Sequence, residues 1–229
     1  MSRAVDMMTE VEELIGRIGD QKLRGMVRDL LLKPDTALDA ERLPLEECPG
    51  GARIHHAHGG GLLQHTVSTV RLSLALCDLV EEVYGGEVDR DTVLAGALLH
   101  DVMKCYVYAP ADGGGFTSSP LGERIDHLTL LVAEMLRRGF PLDTIHVAAA
   151  HHGDQSPVTP KTLEALIVSI ADYADSELSR RVLRAAEYLL RRATGEDARG
   201  ISSREALEVV RAKAREGWEG VRRLRLGET

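Results

Sequence analysis

Asparagine does not occur in this sequence of 229 residues, and glutamine occurs only three times, at Gln21, Gln64 and Gln155. Few thermolabile amides is a trend of heat-adapted proteins, although genome composition biases residue usage too. Cysteine is as sparse. Cys48, Cys77 and Cys105 are odd in number and far apart, without a CxxC pair, which argues against a disulfide framework, a thiolate metal site or a catalytic thiol and for reduced thiols in or near the core. No apolar run approaches the roughly 18 to 20 residues needed to cross a bilayer. The opening stretch MSRAVDMMTEVEELIGRIGD carries acids where a signal or transit peptide would carry bases. A cytoplasmic protein with no membrane partner is the expectation. The glycine clusters HGGG and DGGGF do not continue into G-K-[ST], which excludes a P-loop, and no internal repeat or low-complexity tract is present.

What is there suffices for one full-sized core, because 44% of the residues are hydrophobic and 28% charged. The net charge of −8 disfavours a long nucleic acid, whose binding is driven by clustered cations that release counterions. The one arginine-dense stretch, SRRVLRAAEYLLRRATGEDARG, interleaves its charges with Val182, Leu183, Ala186, Leu189 and Leu190. It reads as a solvated helix face.

Apolar positions recur at spacings of three and four almost throughout, so the chain reads as all-α. Helices are expected over residues 8–18 and 21–32, broken near Gly19, capped by Asp20 and stopped by Pro34. A long connection runs to Gly61, of a length that is uncommon unless functional. Further helices are expected over 62–83, over 92–107 behind a cap at Asp89 or Asp91, and over 124–138, 142–152 and 160–193, the last with Thr159 as cap and Pro160 in its first turn. APADGGGFTSSPLGE reads as a loop. A final amphipathic helix over 203–224 reads as packing material or a contact in a homo-oligomer. The expected division is 1–54, N-terminal helices and connection; 55–200, the functional domain; and 201–229, the C-terminal helix.

Within these helices sit polar residues that apolar neighbours do not explain. In ALLHDVMK, His100 and Asp101 follow Leu94, Ala97, Leu98 and Leu99, and buried polar groups are costly unless hydrogen-bonded, paired or bound to metal. Adjacent residues point about 100° apart, so both reach one pocket only if it lies between them. Lys104 follows one turn later on the same face. His65 lies on the stripe of Leu62, Thr66 and Thr69, His127 follows Asp126 in DHLTLL, His151 and His152 end a helix, and Asp172 sits in the apolar LIVSIADYADSEL. Imidazoles and carboxylates without thiolates suit divalent ions such as Fe²⁺, Mn²⁺, Zn²⁺ or Ni²⁺, and the count is large enough for two, bridged by Asp101. Two such ions about 3.5 to 4 Å apart clamp a phosphoryl oxygen and deliver hydroxide in line, with Lys104 adding a positive charge. His146, after Asp143, has no matching partner and reads as structural.

The order H…HD…H…HH…D, carried by HHAHGGGLLQHT, LAGALLHDVMK, DHLTLL, AAAHHGD and TPKTLEALIVSIADYADSEL, resembles the HD-domain metal-dependent phosphohydrolase superfamily over residues 55–180. The resemblance implies a helical bundle with the metal site in its core. It implies His65, His100, Asp101 and Asp172 as ligands of a first ion, with His127, His151 and His152 on a second bridged by Asp101. Fe²⁺ or Mn²⁺ is favoured, and Zn²⁺, Ni²⁺ and Mg²⁺ are the alternatives. Asp101 and Lys104 are then catalytic, Lys104 contacting phosphate, and His55 and His56 are assigned to substrate contact or to orienting a ligand from behind. Asp175 matches a frequent acidic position with no assigned role. Met103 stands where a small residue is usual and His58 where an aromatic is usual, which leaves the substrate open.

Two branches are most similar. Archaeal HD phosphodiesterases open a pterin 2′,3′-cyclic phosphate, and bacterial HD-type 3′-5′ exoribonucleases usually carry an N-terminal OB-type domain that the residues before His55 do not resemble. The expected function is a metal-dependent phosphodiesterase in which metal-bound hydroxide attacks a small cyclic or nucleotide-like phosphoester. Its rivals are an exoribonuclease on short RNA and a non-catalytic nucleotide-binding regulator.

Overall fold

The computed structural model describes residues 7–32, 36, 38, 40–52, 55–195 and 201–224. Pro34 and the expected loop at 196–200 lie outside them. The first helix, α1 (Met7–Gly16), buries Val11, Leu14 and Ile15, and α2 (Gln21–Leu32) buries Leu23, Val27, Leu30 and Leu31, each set on one helical stripe. Asp20 caps α2 as expected, accepting from the Lys22 and Leu23 amides. The turn between them is pinned from outside, because Asp91 accepts from the amides of Gly19 and Asp20 at 2.8 and 2.7 Å.

α3 (Gly61–Glu82) and α4 (Arg90–Leu99) form the centre. Every residue from Thr92 to Leu99 is buried, so α4 is enclosed on all sides, touching α1, α2, α3, α7 and α8. Asp89, not Asp91, is its cap, accepting from the amides of Asp91 and Thr92. The expected single helix over 92–107 is two. α4 ends at His100, the bonds Val102 N to Leu99 O and Lys104 N to Asp101 O make successive three-residue turns, and α5 (Lys104–Val107) follows. Val102, Met103, Cys105 and Tyr106 stay buried through this stretch, and over so few residues a period of 3.0 cannot be told from 3.6 by pattern.

The expected loop after α5 contains a hairpin. β1 (Tyr108–Pro110) pairs antiparallel with β2 (Phe116–Ser118), Ala109 facing Thr117, and Gly114 and Gly115 turn the chain at φ 85° and 76°. Three-residue strands are too short for a period-two pattern to register. α6 (His127–Arg138) begins three residues later than expected, because Asp126 caps it through the Thr129 amide while Ser119 holds the preceding turns. α7 (Leu142–Ala150) ends at His151, and a single 3-10 turn (Gly153–Gln155) leads on.

α8 (Leu163–Thr194) is capped by Thr162 through the Ala165 amide rather than by Thr159, so Pro160 lies outside it. α9 (Ser203–Arg223) opens with a capping box of Ser202 and Glu205 and bends at Gly217. It packs on the C-terminal half of α8, where Leu183, Ala186 and Leu190 meet Ile201, Ala206, Val209 and Val221. α1 and α2 instead share the core of α3, α4 and α7. The fold is therefore all-α, a helical bundle with one minor hairpin. No described helix is long and apolar enough to cross a membrane.

α4 and α7 approach closely at Gly96, where an added Cβ would lie 2.2 Å from Val147 Cγ1 and 2.8 Å from its Cβ. Rotating Val147 relieves only the first clash. Gly96→Ala is thus expected to cost about 1–3 kcal/mol through overpacking, more than the roughly 1 kcal/mol that alanine returns in helix propensity. A thermal melt checks this. A melting temperature at or above that of the parent would contradict the close approach.

Candidate metal centre

The polar residues singled out above converge at the C-terminal end of α4. His65 comes from the first turns of α3, His100 and Asp101 from the end of α4, His127 from the start of α6, His151 and His152 from the end of α7, and Asp172 from α8. His65 and His100 are fully buried and Asp101 is 1% exposed, while His152 is open to solvent. Most of these groups stand at or near a helix end, and Asp172 is presented from within α8.

Asp101 stands between two groups. Its Oδ2 lies 3.3 Å from both His65 Nε2 and His100 Nε2, and its Oδ1 lies 3.2 Å from His127 Nε2 and 3.7 Å from His151 Nε2. Asp172 Oδ1 closes the first group at 3.0 Å from His65 Nε2. One ligand atom from each of His65, His100 and Asp172 fits within 4.8 Å, and so does one from each of Asp101, His127, His151 and His152.

Hydrogen bonds on the far side of three rings fix which nitrogen faces inward. His100 Nδ1 donates to Ala97 O at 2.8 Å, His151 Nδ1 donates to Ala148 O at 2.6 Å, and His65 Nδ1 donates to Asp175 Oδ2 at 2.7 Å. A carbonyl or carboxylate can only accept, so these Nδ1 atoms carry protons and a neutral ring presents its Nε2 lone pair to the centre. His65 Nε2 and His100 Nε2 accordingly face each other at 3.1 Å. Asp101 Oδ1, His127 Nε2 and His151 Nε2 are buried and have no hydrogen-bond partner among the described residues. Converging lone pairs and orphaned acceptors are unfavourable for protein alone and suited to a cation.

Electrostatics follow from the same crowding. Burial would raise the Asp101 carboxyl, yet Lys104 and His100 hold it well below the usual carboxylate range. Burial would lower the Lys104 ammonium, yet Asp101 holds it above its ordinary value. The Lys104 Nζ donates to Asp101 Oδ2 and to Gly50 O, each at 2.5 Å. Burial would likewise lower His65, but with no cation present Asp101, Asp172 and Asp175 raise it well above the usual imidazole range, so Nε2 then carries a second proton, which a bound cation would have to displace to reach the lone pair. His151 is driven well below that range by burial and by His100 and His152.

A cleft of about 530 Å³ opens onto this centre, lined by Lys104, His151, His152, Gln155, Asp172 and Tyr173 among others. That size suits a small molecule. His55 faces the cleft, and burial, with Lys104 nearby, takes its imidazole down to about 3, so it is neutral there. His56 does not line the cleft. It is buried behind it, its Nε2 2.8 Å from Asp175 Oδ2. His58 lies 3.4 Å from Ser203 Oγ at the start of α9, and His146 accepts from the Lys161 amide, both away from the centre. A second cavity of about 520 Å³, between Leu43, Tyr108, Leu121 and Arg124, holds none of the clustered histidines. Spacing along the chain did not indicate the Gly50 carbonyl that holds Lys104 or the contacts of Asp175, since both depend on tertiary approach. The three cysteines are free and buried.

Residues 62–177 match the family described as HD domain. The chain is 39% identical over 219 residues to dihydroneopterin 2′,3′-cyclic phosphate phosphodiesterase of Methanocaldococcus jannaschii, covering 92% of this chain and 85% of that protein. It is 25% identical over 185 residues to the 3′-5′ exoribonuclease YhaM of Bacillus subtilis and 26% identical over 185 residues to that of Shouchella clausii. Those alignments cover 76% of this chain and 54% of each exoribonuclease, so the chain spans about half their length. No solved structure matches.

Proposed function

This chain belongs to the HD domain family, and from that premise we propose that it is a metal-dependent phosphodiesterase opening a pterin-type 2′,3′-cyclic phosphate, the substrate class for which its archaeal relative is named. His65, His100 and Asp172, with Asp101 beside them, would hold one divalent ion, and Asp101, His127, His151 and His152 would hold a second, with Fe²⁺ or Mn²⁺ favoured over Zn²⁺, Ni²⁺ and Mg²⁺. The observation that carries this reading is the set of orphaned buried atoms, Asp101 Oδ1, His127 Nε2 and His151 Nε2, meeting at one point.

When bound, divalent ions supply Lewis acidity toward the phosphoryl oxygens and a water acidic enough to act near neutral pH. The protein's own residues do the rest. Lys104 gives two of its three protons to Asp101 and Gly50 and lines the cleft, which leaves the third for a phosphate oxygen there. Asp101 stays ionised, and neutral His55 offers a hydrogen bond to the substrate without adding charge. Tyr173, 70% exposed at the mouth, gives the heteroaromatic ring an apolar face. Buried free thiols suit a reducing compartment, which supports reading the protein as cytoplasmic.

Assays with Fe²⁺ and Mn²⁺ on a pterin 2′,3′-cyclic phosphate, 2′,3′-cyclic nucleotides, linear dinucleotides and short RNA test the assignment. The pterin cyclic phosphate is expected to exceed linear dinucleotides at least about tenfold in kcat/KM, the discrimination available from a few well-placed contacts. Activity confined to RNA would replace this reading with the exoribonuclease one.

A further inference from the structure

Asp175 is buried one turn beyond Asp172 on α8 and lines no part of the cleft. Its Oδ2 accepts from His65 Nδ1 at 2.7 Å and from His56 Nε2 at 2.8 Å, and its Oδ1 accepts from Ser68 Oγ at 2.5 Å. By distance alone His56, His65 and Asp175 could hold a cation. A proton already sits in each of these contacts, so the trio is a hydrogen-bonded triad and not an ion site.

His56 itself is held in an unusual state. It is the only residue other than glycine at positive φ among the described residues, at 45°, and such a backbone persists only where its surroundings fix it. Three contacts do so. The His56 amide donates to Ser179 Oγ at 3.1 Å, and the His56 carbonyl accepts from the amides of Gly50 at 3.0 Å and His58 at 2.9 Å. Two glycines leave the room. A Cβ at Gly61 would lie 2.0 Å from the His56 carbonyl oxygen, and one at Gly50 would lie 2.7 Å from the His56 Cβ. Gly50 is also the residue whose carbonyl takes the Lys104 ammonium. One strained residue therefore braces both the acceptor of Lys104, through its backbone, and the carboxylate behind His65, through its ring.

We infer that Asp175 and His56 are positioning residues: Asp175 keeps the proton of His65 on Nδ1 so that Nε2 faces the metal, and the His56 loop sets His65 and Lys104 in register. The inference rests on the metal-site assignment proposed above. A carboxylate hydrogen-bonded behind a ligating imidazole fixes the tautomer, orients the ring and raises its basicity.

The test is calorimetric binding of Mn²⁺ to the full-length metal-free protein, with thermal melts run in parallel. Asp175→Ala is expected to weaken Mn²⁺ binding roughly 10- to 100-fold, the usual loss when such a partner is removed. Asp175→Asn, which keeps the shape and should fold if Asp175→Ala does not, is expected to weaken it by less. His56→Gly relieves the backbone strain but empties the space of a buried, hydrogen-bonded ring, so the melts show what it costs in stability, and a purely structural role predicts unchanged Mn²⁺ affinity in the folded protein whatever that cost. Positioning predicts weaker Mn²⁺ binding and a raised KM for cyclic phosphate in the folded variant, with His56→Gln, whose amide can still donate to Asp175, restoring most of the loss. Mn²⁺ affinities of Asp175→Asn and His56→Gly within twofold of the parent would overturn the inference. A parent protein that binds Mn²⁺ but opens no cyclic phosphate would overturn the substrate assignment and leave this one standing, since the binding measurement uses no substrate.

Discussion

Replacing Asp101 by asparagine is expected to abolish measurable turnover, by a factor on the order of 10³ or more, and to strip bound metal from the purified protein. Asp101 is the group that touches both sets of candidate ligands, with one oxygen 3.3 Å from His65 and His100 and the other 3.2 Å from His127. An amide of the same shape keeps one oxygen and turns an NH₂ toward the other side. If the NH₂ faces Lys104, two donors oppose each other at the 2.5 Å contact that now joins ammonium to carboxylate. If it faces His127 and His151, it donates to the lone pairs that a second ion would use. Either orientation removes one negative charge from the proposed metal centre, and leaves the buried Lys104 without its ionic partner. Breaking a buried pair by removing one member costs about 3–5 kcal/mol, so the metal-free variant should also melt earlier than the metal-free parent. Elemental analysis, kcat/KM on the cyclic phosphate and thermal melts check all three. An Asp101→Asn protein carrying the parent's full metal content would remove the bridging role.

The residues of that centre were readable in the sequence for a physical reason. His65, the His100–Asp101 pair and Asp172 are imidazoles and carboxylates inside apolar helical stripes, where burial without a partner is unfavourable. What was not readable depends on chain approach. Asp175 looks in the sequence like one more acid a turn after Asp172, and its meaning comes from His56, 119 positions away. His55 and His56 read alike in the sequence, as touching substrate or orienting a ligand from behind, and only the fold separates them: the ring of His55 faces the cleft while that of His56 lies behind it, on Asp175. Element boundaries failed where local chemistry gave competing signals. Thr159 followed by Pro160 imitates a helix start, but Thr162 is the residue whose hydroxyl meets an orphan amide, at Ala165. The stretch from His100 to Lys104 kept an apolar rhythm through turns of three residues, so its pattern concealed the break that lets His100 and Asp101 both face one centre.

Lys104→Met separates binding of metal from stabilisation of charge on the phosphate, and it is expected to lower kcat/KM by about 10²- to 10³-fold, the loss seen when one preorganised donor to a developing anion is removed. Methionine preserves the length and much of the volume of the lysine stem, which is buried against Asp101 and the Gly50 carbonyl. It removes the ammonium alone. Lysine is not a metal ligand here, so metal content should stay at the parent level. The metal-free variant should be less stable than the metal-free parent, because Asp101, ionised and almost wholly enclosed, loses the nearest positive charge. Adding Mn²⁺ should recover more stability in the variant than in the parent, since the ion then supplies the only strong counter-charge to that carboxylate. Measuring metal content, kcat/KM and the Mn²⁺-induced shift in melting temperature on one preparation tests these consequences together. A parallel fall in metal content and activity would mean that Lys104 maintains the site and does not act on the substrate, whereas unchanged activity would place the phosphate beyond its reach.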